Sequence, residues 1–269
     1  MMFYAGIDAG SNTIKAVILG DNGIVSYHVV KTGSGGEEQA SRCLEEACAK
    51  ARIGREEIAC IYGTGCGREY LIFPQGRKSE IICHGAGVHW ILPDVRTIID
   101  IGGQDSKAIR LNERGEVENF NMNDKCAAGT GRFLETMATA LQVPLEELGE
   151  CALRAPEAVR VSSTCTVFAE TEVVSHIARG KKRDEILLGV CQSIVDRIAA
   201  MVRGIGIKSP VAMTGGVAKN QAVVKLMGDR LGLPLFLPPE PQITGALGAA
   251  LIARQESLTR EKPLAALNG

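Results

Sequence analysis

The stretch Ile99-Asp-Ile-Gly-Gly-Gln-Asp-Ser-Lys-Ala108 decides the fold, because the chain carries a second form of it. Ile7-Asp-Ala-Gly-Ser-Asn-Thr-Ile-Lys-Ala16 aligns with it without a gap and keeps Ile, Asp, Gly, Lys and Ala at the same spacing. Each copy is followed by a turn and a further strand-like run, over 24–30 and 116–122. This pattern predicts three antiparallel strands in each half and an internal structural duplication.

Apolar residues at helical spacing follow both sets of strands, which predicts two related α/β halves. Helices are predicted over about 37–53, 132–142, 167–178 and 184–204, with a Pro-initiated turn at 144–148. A strand over 210–214 leads through two glycines into a helix that starts near Ala218. A small-residue helix suited to close packing is predicted over 243–252, and the tail after about Ser257 shows no strong period.

Composition excludes several classes of function. The chain has 269 residues, 45% of them hydrophobic, which is enough for a substantial core, and its formal net charge is -1 with no basic stripe. Nucleic acid is therefore not expected as a partner. No run approaches the ~20 apolar residues of a membrane span, and the start of the chain is strand-like, so we expect a cytoplasmic protein without a membrane partner. Nine cysteines in such a chain predict thiols or metal ligands rather than disulfides.

The repeated Asp-x-Gly turns have the chemistry of phosphate binding. We call Asp8–Lys15 the first turn and Asp100–Lys107 the second turn. Gly10 and Gly102 let main-chain amides approach an anion, the two aspartates are suited to hold Mg²⁺ through water, and Lys15 is suited to neutralise phosphate charge. A single Asp-x-Gly is more often an ordinary strand-end turn. The repeated pair, joined to a third glycine turn, favours a nucleotide site.

The third turn, Met213–Asn220, joins a strand to a helix through Gly215 and Gly216. Such a junction places a base or ribose against the main chain at a helix N-terminus. Asp8, Asp100 and Gln104 are predicted to act in hydrolysis, with Gln104 orienting the attacking water. The predicted nucleotide contacts are Gly10, Ser11, Asn12, Thr13, Lys15, Gly102, Gly103, Gly129, Thr130, Gly131, Gly215, Gly216, Ala218 and Asn220.

These three turns, in this order and separation, resemble the two phosphate motifs and the adenosine motif of the actin, Hsp70 and sugar-kinase superfold, over about residues 5–252. The resemblance implies an α/β protein of two duplicated actin-like ATPase (ribonuclease H-like) subdomains with a nucleotide cleft between them. The first would comprise 1–94 plus about 240–256 and the second 95–239, with 257–269 as a tail.

Two cysteine segments point to a narrower family. Asn123-Asp-Lys-Cys-Ala-Ala-Gly-Thr-Gly-Arg132 and Ser163-Thr-Cys-Thr-Val-Phe-Ala-Glu170 resemble the ATP-dependent activators of 2-hydroxyacyl-CoA dehydratases, which are related to benzoyl-CoA reductase ATPase subunits. The resemblance implies a homodimer that holds one [4Fe-4S] cluster through Cys126 and Cys165 of each chain. It implies ATP hydrolysis coupled to transfer of a low-potential electron to an iron-sulfur dehydratase or reductase component, with a ferredoxin- or flavodoxin-like donor.

The residue chemistry agrees with this resemblance. Each of the two cysteines is predicted near the N-terminus of a helix, where amides and the macrodipole stabilise a thiolate, and two per chain make four across a twofold axis. The alternative for any cysteine is a buried, inert thiol. We adopt it for Cys43, Cys48, Cys60, Cys83, Cys151 and Cys191. Cys66 departs from the aromatic residue common in the family pattern and is interpreted as a packing substitution.

We hypothesise that nucleotide state alters the angle between the halves and that the helices after the two cysteines carry this motion to the cluster. Thr130 would reach the phosphates, while Glu170 and Arg132 are either relays or residues with a solvated or structural role. His84 and His89 are interpreted as packed residues of a helix. Two alternatives remain open: a small-molecule (sugar) kinase of the same superfold, and a non-enzymatic nucleotide-responsive regulator.

Overall fold

The computed structural model describes residues 2–162 and 165–261. It contains two compact units, each built around its own five-stranded sheet. Unit 1 takes the chain through Pro93, the segment Arg114–Val117, and the described residues from Gln242 onward. Unit 2 takes Asp94–Glu113 and Glu118–Pro241.

The strands and helices follow in chain order. The strands are β1 (Phe3–Ala9), β2 (Thr13–Gly20), β3 (Gly23–Lys31), β4 (Ile58–Thr64), β5 (Gly76–Arg77), β6 (Thr97–Ile101), β7 (Ser106–Leu111), β8 (Val117–Asn123), β9 (Val211–Thr214) and β10 (Leu235–Phe236). The helices are α1 (Gly36–Ala51), α2 (Glu80–Ile91), α3 (Gly131–Ala140), α4 (Leu148–Leu153), α5 (Thr166–Ala178), α6 (Arg183–Gly204), α7 (Gln221–Leu231) and α8 (Thr244–Glu261).

The sheet of unit 1 has the order β3-β2-β1-β4-β5. Strands β1, β2 and β3 pair antiparallel, as the sequence predicts, and β4 joins β1 in parallel. Successive side chains of a strand point to opposite faces. Ala5 and Ile7 therefore pack with α1 on one face, while Tyr4 packs with α2 and α8 on the other.

Helix α8 lies directly on β1 because both elements present small residues there. A Cβ atom added to Gly6 would lie 1.9 Å from the main-chain oxygen of Ala246, so only glycine permits this approach. The helix continues well past the predicted end at 252. Residues 257–261, expected to lie in an aperiodic tail, form its last part, whereas residues 262–269 of that tail lie outside the described residues.

The sheet of unit 2 repeats the arrangement in the order β10-β9-β6-β7-β8. Strand β6 pairs antiparallel with β7 and parallel with β9, and β10 pairs parallel with β9. One core joins this sheet to α3, α4, α5, α6 and α7, with Phe133, Leu187 and Ile194 buried in it. The predicted turn at 144–148 leads directly into α4. Within residues 2–162 and 165–261, no helix has both the length and the apolar character needed to cross a bilayer.

Candidate nucleotide and cluster site

The first turn connects β1 to β2 in unit 1. Asp8 and Lys15 face each other in the antiparallel register, and the Lys15 Nζ lies 3.2 Å from Asp8 Oδ2. Asp8 is 5% exposed, whereas the Lys15 side chain is 14% exposed. A Cβ on Gly10 would lie 2.8 Å from Thr13 O and 3.0 Å from Lys15 Nζ. Glycine thus permits the tight turn beside an ammonium group, while Ser11, Asn12 and Thr13 remain partly exposed around it.

The second turn connects β6 to β7 in unit 2, and its charges are more deeply buried. Lys107 is 2% exposed, and its Nζ lies 3.4 Å from Asp100 Oδ2 and 2.9 Å from Asp105 Oδ1. Asp100 also accepts a hydrogen bond of 2.7 Å from the Thr214 hydroxyl. Gln104 is exposed at the tip of this turn. The second lysine is therefore held by two carboxylates, whereas Lys15 has one carboxylate partner at ion-pair distance in the part of the chain that the structure describes, and it is more exposed.

The third turn follows β9, beside β6. Gly215 has φ +84°, and a Cβ there would lie 2.2 Å from Ile101 O, so the residue must be glycine. Gly216 opens a short 3-10 helix that contains the buried Ala218. The Asn220 side-chain oxygen accepts a 3.1 Å hydrogen bond from the amide of Val223 and caps α7. The side-chain oxygen of Asn220, which the sequence predicted to contact the nucleotide, is therefore engaged in capping α7.

The duplication extends to a feature that the sequence analysis missed. Thr64 at the end of β4 pairs in register with Asp8, as Thr214 at the end of β9 pairs with Asp100. Each threonine is fully buried and is followed by a glycine with positive φ, +90° at Gly65 and +84° at Gly215. The sequence signal for this feature was the Thr-Gly dipeptide at the end of β4 and of β9, the strands that lie parallel to β1 and β6. The roles differ, because the Thr64 hydroxyl donates to Lys78 O rather than to the aspartate.

The second turn is hydrogen-bonded to the start of α3. The amides of Gly131 and Arg132 donate to the oxygens of Gly102 and Gly103, each at 2.8 Å. Just before α3, the Thr130 hydroxyl donates to Ala127 O at 2.6 Å, and Gly129 adopts φ +92°. Thr130 is fully buried, with its hydroxyl engaged inside this loop. The segments 102–103 and 129–131, both predicted to contact phosphate, are thus joined by main-chain hydrogen bonds.

Cys126 and Cys165 occupy corresponding places before two helices that pack on each other, α3 and α5. Cys126 lies in the loop before α3, where Asn123 Nδ2 donates to its main-chain oxygen at 2.8 Å. Cys165 is the N-cap residue of α5, and its oxygen accepts from the Ala169 amide at 3.0 Å. Both are partly exposed free thiols, so these two side chains fit the role of cluster ligands.

The other cysteines divide by exposure. Burial raises the pKa of Cys43, Cys83 and Cys191 to about 12, and burial also raises the pKa of Cys48. These thiols stay protonated near neutral pH, which suits packing rather than metal ligation. Cys60 and Cys151 are buried as well, whereas Cys66 is exposed and its Sγ lies 3.7 Å from Ala9 O. In the described ranges 2–162 and 165–261, no three His, Cys, Asp or Glu side chains gather as a metal site.

The two duplicated sheets, with paired turns at the ends of β1 and β6, define the actin-like ATPase fold. Residues 5–253 match the model of the BadF/BadG/BcrA/BcrD ATPase family. The chain belongs to this family.

Relatives of known role cover nearly the whole chain. The activator of lactoyl-CoA dehydratase from Anaerotignum propionicum is 46% identical over 94% of this chain and 97% of its own. The structure of the activator of 2-hydroxyisocaproyl-CoA dehydratase from Clostridium difficile with bound ADPNP is similar at a TM-score of 0.92, with 43% identity and 97% of both chains covered. Component A of (R)-2-hydroxyglutaryl-CoA dehydratase from Acidaminococcus fermentans also gives 0.92, with 40% identity over 96% of this chain and 100% of its own.

Proposed function

We propose that this protein is an ATP-hydrolysing iron-sulfur activator that delivers a low-potential electron to a 2-hydroxyacyl-CoA dehydratase or a related iron-sulfur component. One observation carries the proposal: the second turn is hydrogen-bonded directly to the first amides of α3, immediately after the loop that holds Cys126. A conformational change in the second turn would therefore move the start of α3, which follows the loop that holds the candidate cluster ligand Cys126. The names of the relatives, which are dehydratase activators, give the partner class.

The nucleotide part of the proposal rests on the paired turns. Asp8 and Asp100 hold Mg²⁺ through water, Lys15 meets the phosphate charge, and Gln104 orients the attacking water. Lys107 does not take the place of Lys15, because two carboxylates already hold it. Amides of the glycine turns approach the phosphates, and Gly215–Ala218 receives the adenosine.

The cluster part of the proposal rests on the two partly exposed thiols of unit 2. Cys126 and Cys165 supply two thiolates, and a [4Fe-4S] cluster is ordinarily held by about four, so a second copy of the chain supplies the other pair. When bound, the cluster provides one-electron transfer at low potential. Cys165 is the N-cap residue of α5, and the free amides of a helix N-terminus stabilise negative charge nearby.

A contact surface beside Cys165 supports assembly with another protein molecule. Val167, Phe168, Val174 and Ile177 of α5 are 66%, 65%, 54% and 46% exposed. Large apolar side chains exposed on one short helix are typical of a surface that another protein covers. In the proposal, this surface contacts the second copy around the cluster.

The test is anaerobic reconstitution of Cys126→Ser, with Cys66→Ser as the matched control because it also removes an accessible thiol. Wild type and Cys66→Ser should bind about four irons per two chains and form dimers, whereas Cys126→Ser should bind none and retain ADP binding. Iron retained by Cys126→Ser would overturn the ligand assignment. A colourless wild-type monomer that transfers phosphate to a sugar would instead identify a small-molecule kinase.

A further inference from the structure

A buried polar group lies behind Asp8 in unit 1. His84 of α2 is 6% exposed, and its Nδ1 lies 3.0 Å from the hydroxyl of Thr244, which is fully buried at the start of α8. Glu80, 8% exposed, lies one helical turn before His84. Polar side chains in a core are costly unless they are paired, so this position calls for an explanation beyond packing.

Gly245 lies between His84 and Asp8 of the first turn. A Cβ at Gly245 would lie 3.1 Å from Asp8 Oδ2 and 3.2 Å from His84 Nε2. The carboxylate and the imidazole therefore border the same small space, which remains open because residue 245 has no side chain. One imidazole nitrogen is used by Thr244, and the other faces the space next to Asp8.

The second unit shows why Asp8 needs such a neighbour. Asp100 has two orienting partners, the Lys107 ammonium and the Thr214 hydroxyl. At the corresponding place in unit 1, the Thr64 hydroxyl donates to Lys78 O instead, while Lys15 still contacts Asp8. His84 Nε2 and the Asp8 oxygen that Lys15 contacts lie 3.2 and 3.1 Å from one point, the position that a Cβ at Gly245 would take.

We infer that His84, held by Thr244, is a positioning residue that orients the Asp8 carboxylate for the hydrated Mg²⁺ of the nucleotide. It takes the part that Thr214 plays for Asp100. The inference rests on the proposed nucleotide site. His84 touches neither nucleotide nor metal in this role, because it acts from behind the aspartate. Partners that orient metal-binding groups in this way typically contribute about 10–100-fold to metal affinity.

Two substitutions separate orientation from packing. His84→Asn keeps a polar group at the position of Nδ1, which reaches Thr244, and removes Nε2. His84→Gln keeps a polar group near the position of Nε2. Calorimetry would measure the dissociation constants of MgADP and of ADP in EDTA for each protein.

His84→Asn should weaken MgADP binding by about tenfold or more and leave ADP in EDTA unchanged. His84→Gln, which keeps a polar group near Nε2 but loses the Thr244 partner, should weaken MgADP binding less than His84→Asn does. Equal behaviour of the two variants, or equal weakening of MgADP and metal-free ADP, would overturn the inference. If His84→Asn does not fold, Thr244→Val, which frees the imidazole from its hydroxyl partner, should weaken MgADP selectively; no such selectivity would refute the idea. Failure of the wild type to bind MgADP would refute the proposed nucleotide site itself.

Discussion

Lys107→Met is expected to destabilise unit 2 more than Lys15→Met destabilises unit 1. The two lysines are equivalent in the duplication, but Lys107 is 2% exposed between the carboxylates of Asp100 and Asp105. Removing one partner of a buried ion pair costs about 3–5 kcal/mol, because a buried charge is left without compensation. The Lys15 side chain is 14% exposed and, among the described residues, lies at ion-pair distance from one carboxylate, that of Asp8, so a smaller loss of about 2 kcal/mol is expected there.

Differential scanning calorimetry of the nucleotide-free chain measures this difference. About 2–4 °C of melting temperature corresponds to 1 kcal/mol in a unit of this size, so Lys107→Met should lower the transition of unit 2 by on the order of 10 °C. Lys15→Met should lower that of unit 1 by on the order of 5 °C while weakening MgADP binding. Equal shifts for the two variants would refute the reasoning, because they would mean that the burial of Lys107 carries no energetic weight.

Two further predictions concern buried polar groups and thiols. Ser106→Ala should raise the free energy of unfolding by about 1 kcal/mol, because the buried Ser106 hydroxyl has no hydrogen-bond partner among the described residues. The control Ser193→Ala, which deletes a hydroxyl that donates at 2.9 Å, should lower it, and equal urea midpoints would contradict the assignment. With iodoacetamide at pH 8, native apo-protein should react only at accessible thiols, because the reagent does not reach buried ones and raised pKa values keep four of those protonated; peptide mass spectrometry would reveal any exception. The accessible thiols are Cys66, Cys126 and Cys165, and the raised pKa values are those of Cys43, Cys48, Cys83 and Cys191.

The repeat predicted the fold well because it determines strand direction as well as strand position. An Asp-x-Gly turn followed by a lysine at fixed spacing requires two antiparallel strands with the aspartate opposite the lysine, and both copies have this register. The equivalence of β4 and β9, the strands parallel to β1 and β6, was harder to recognise in the sequence. Their shared Thr-Gly dipeptide lies at different distances from the two turns, so a search at one fixed offset passes over it.

The burial of individual side chains was beyond the sequence. Lys15 and Lys107 occupy the same position in the repeat, and only the structure shows that Asp105 turns towards the second lysine. His84 was interpreted as a packed residue, and the packing is real. The small space that it shares with Asp8 depends on Gly245, which is distant in the chain, and no local pattern connects His84 with Gly245.

The contact between Gly6 and α8 has a consequence for how the protein is made. The second core layer of unit 1 requires Ala246, Leu247 and Ala250 from the far end of the chain. A ribosome that has released the first 93 residues has therefore produced a sheet with one apolar face only partly covered, by α2. Unit 2 receives all its strands by Phe236, so the half that is synthesised first is the half that is completed last.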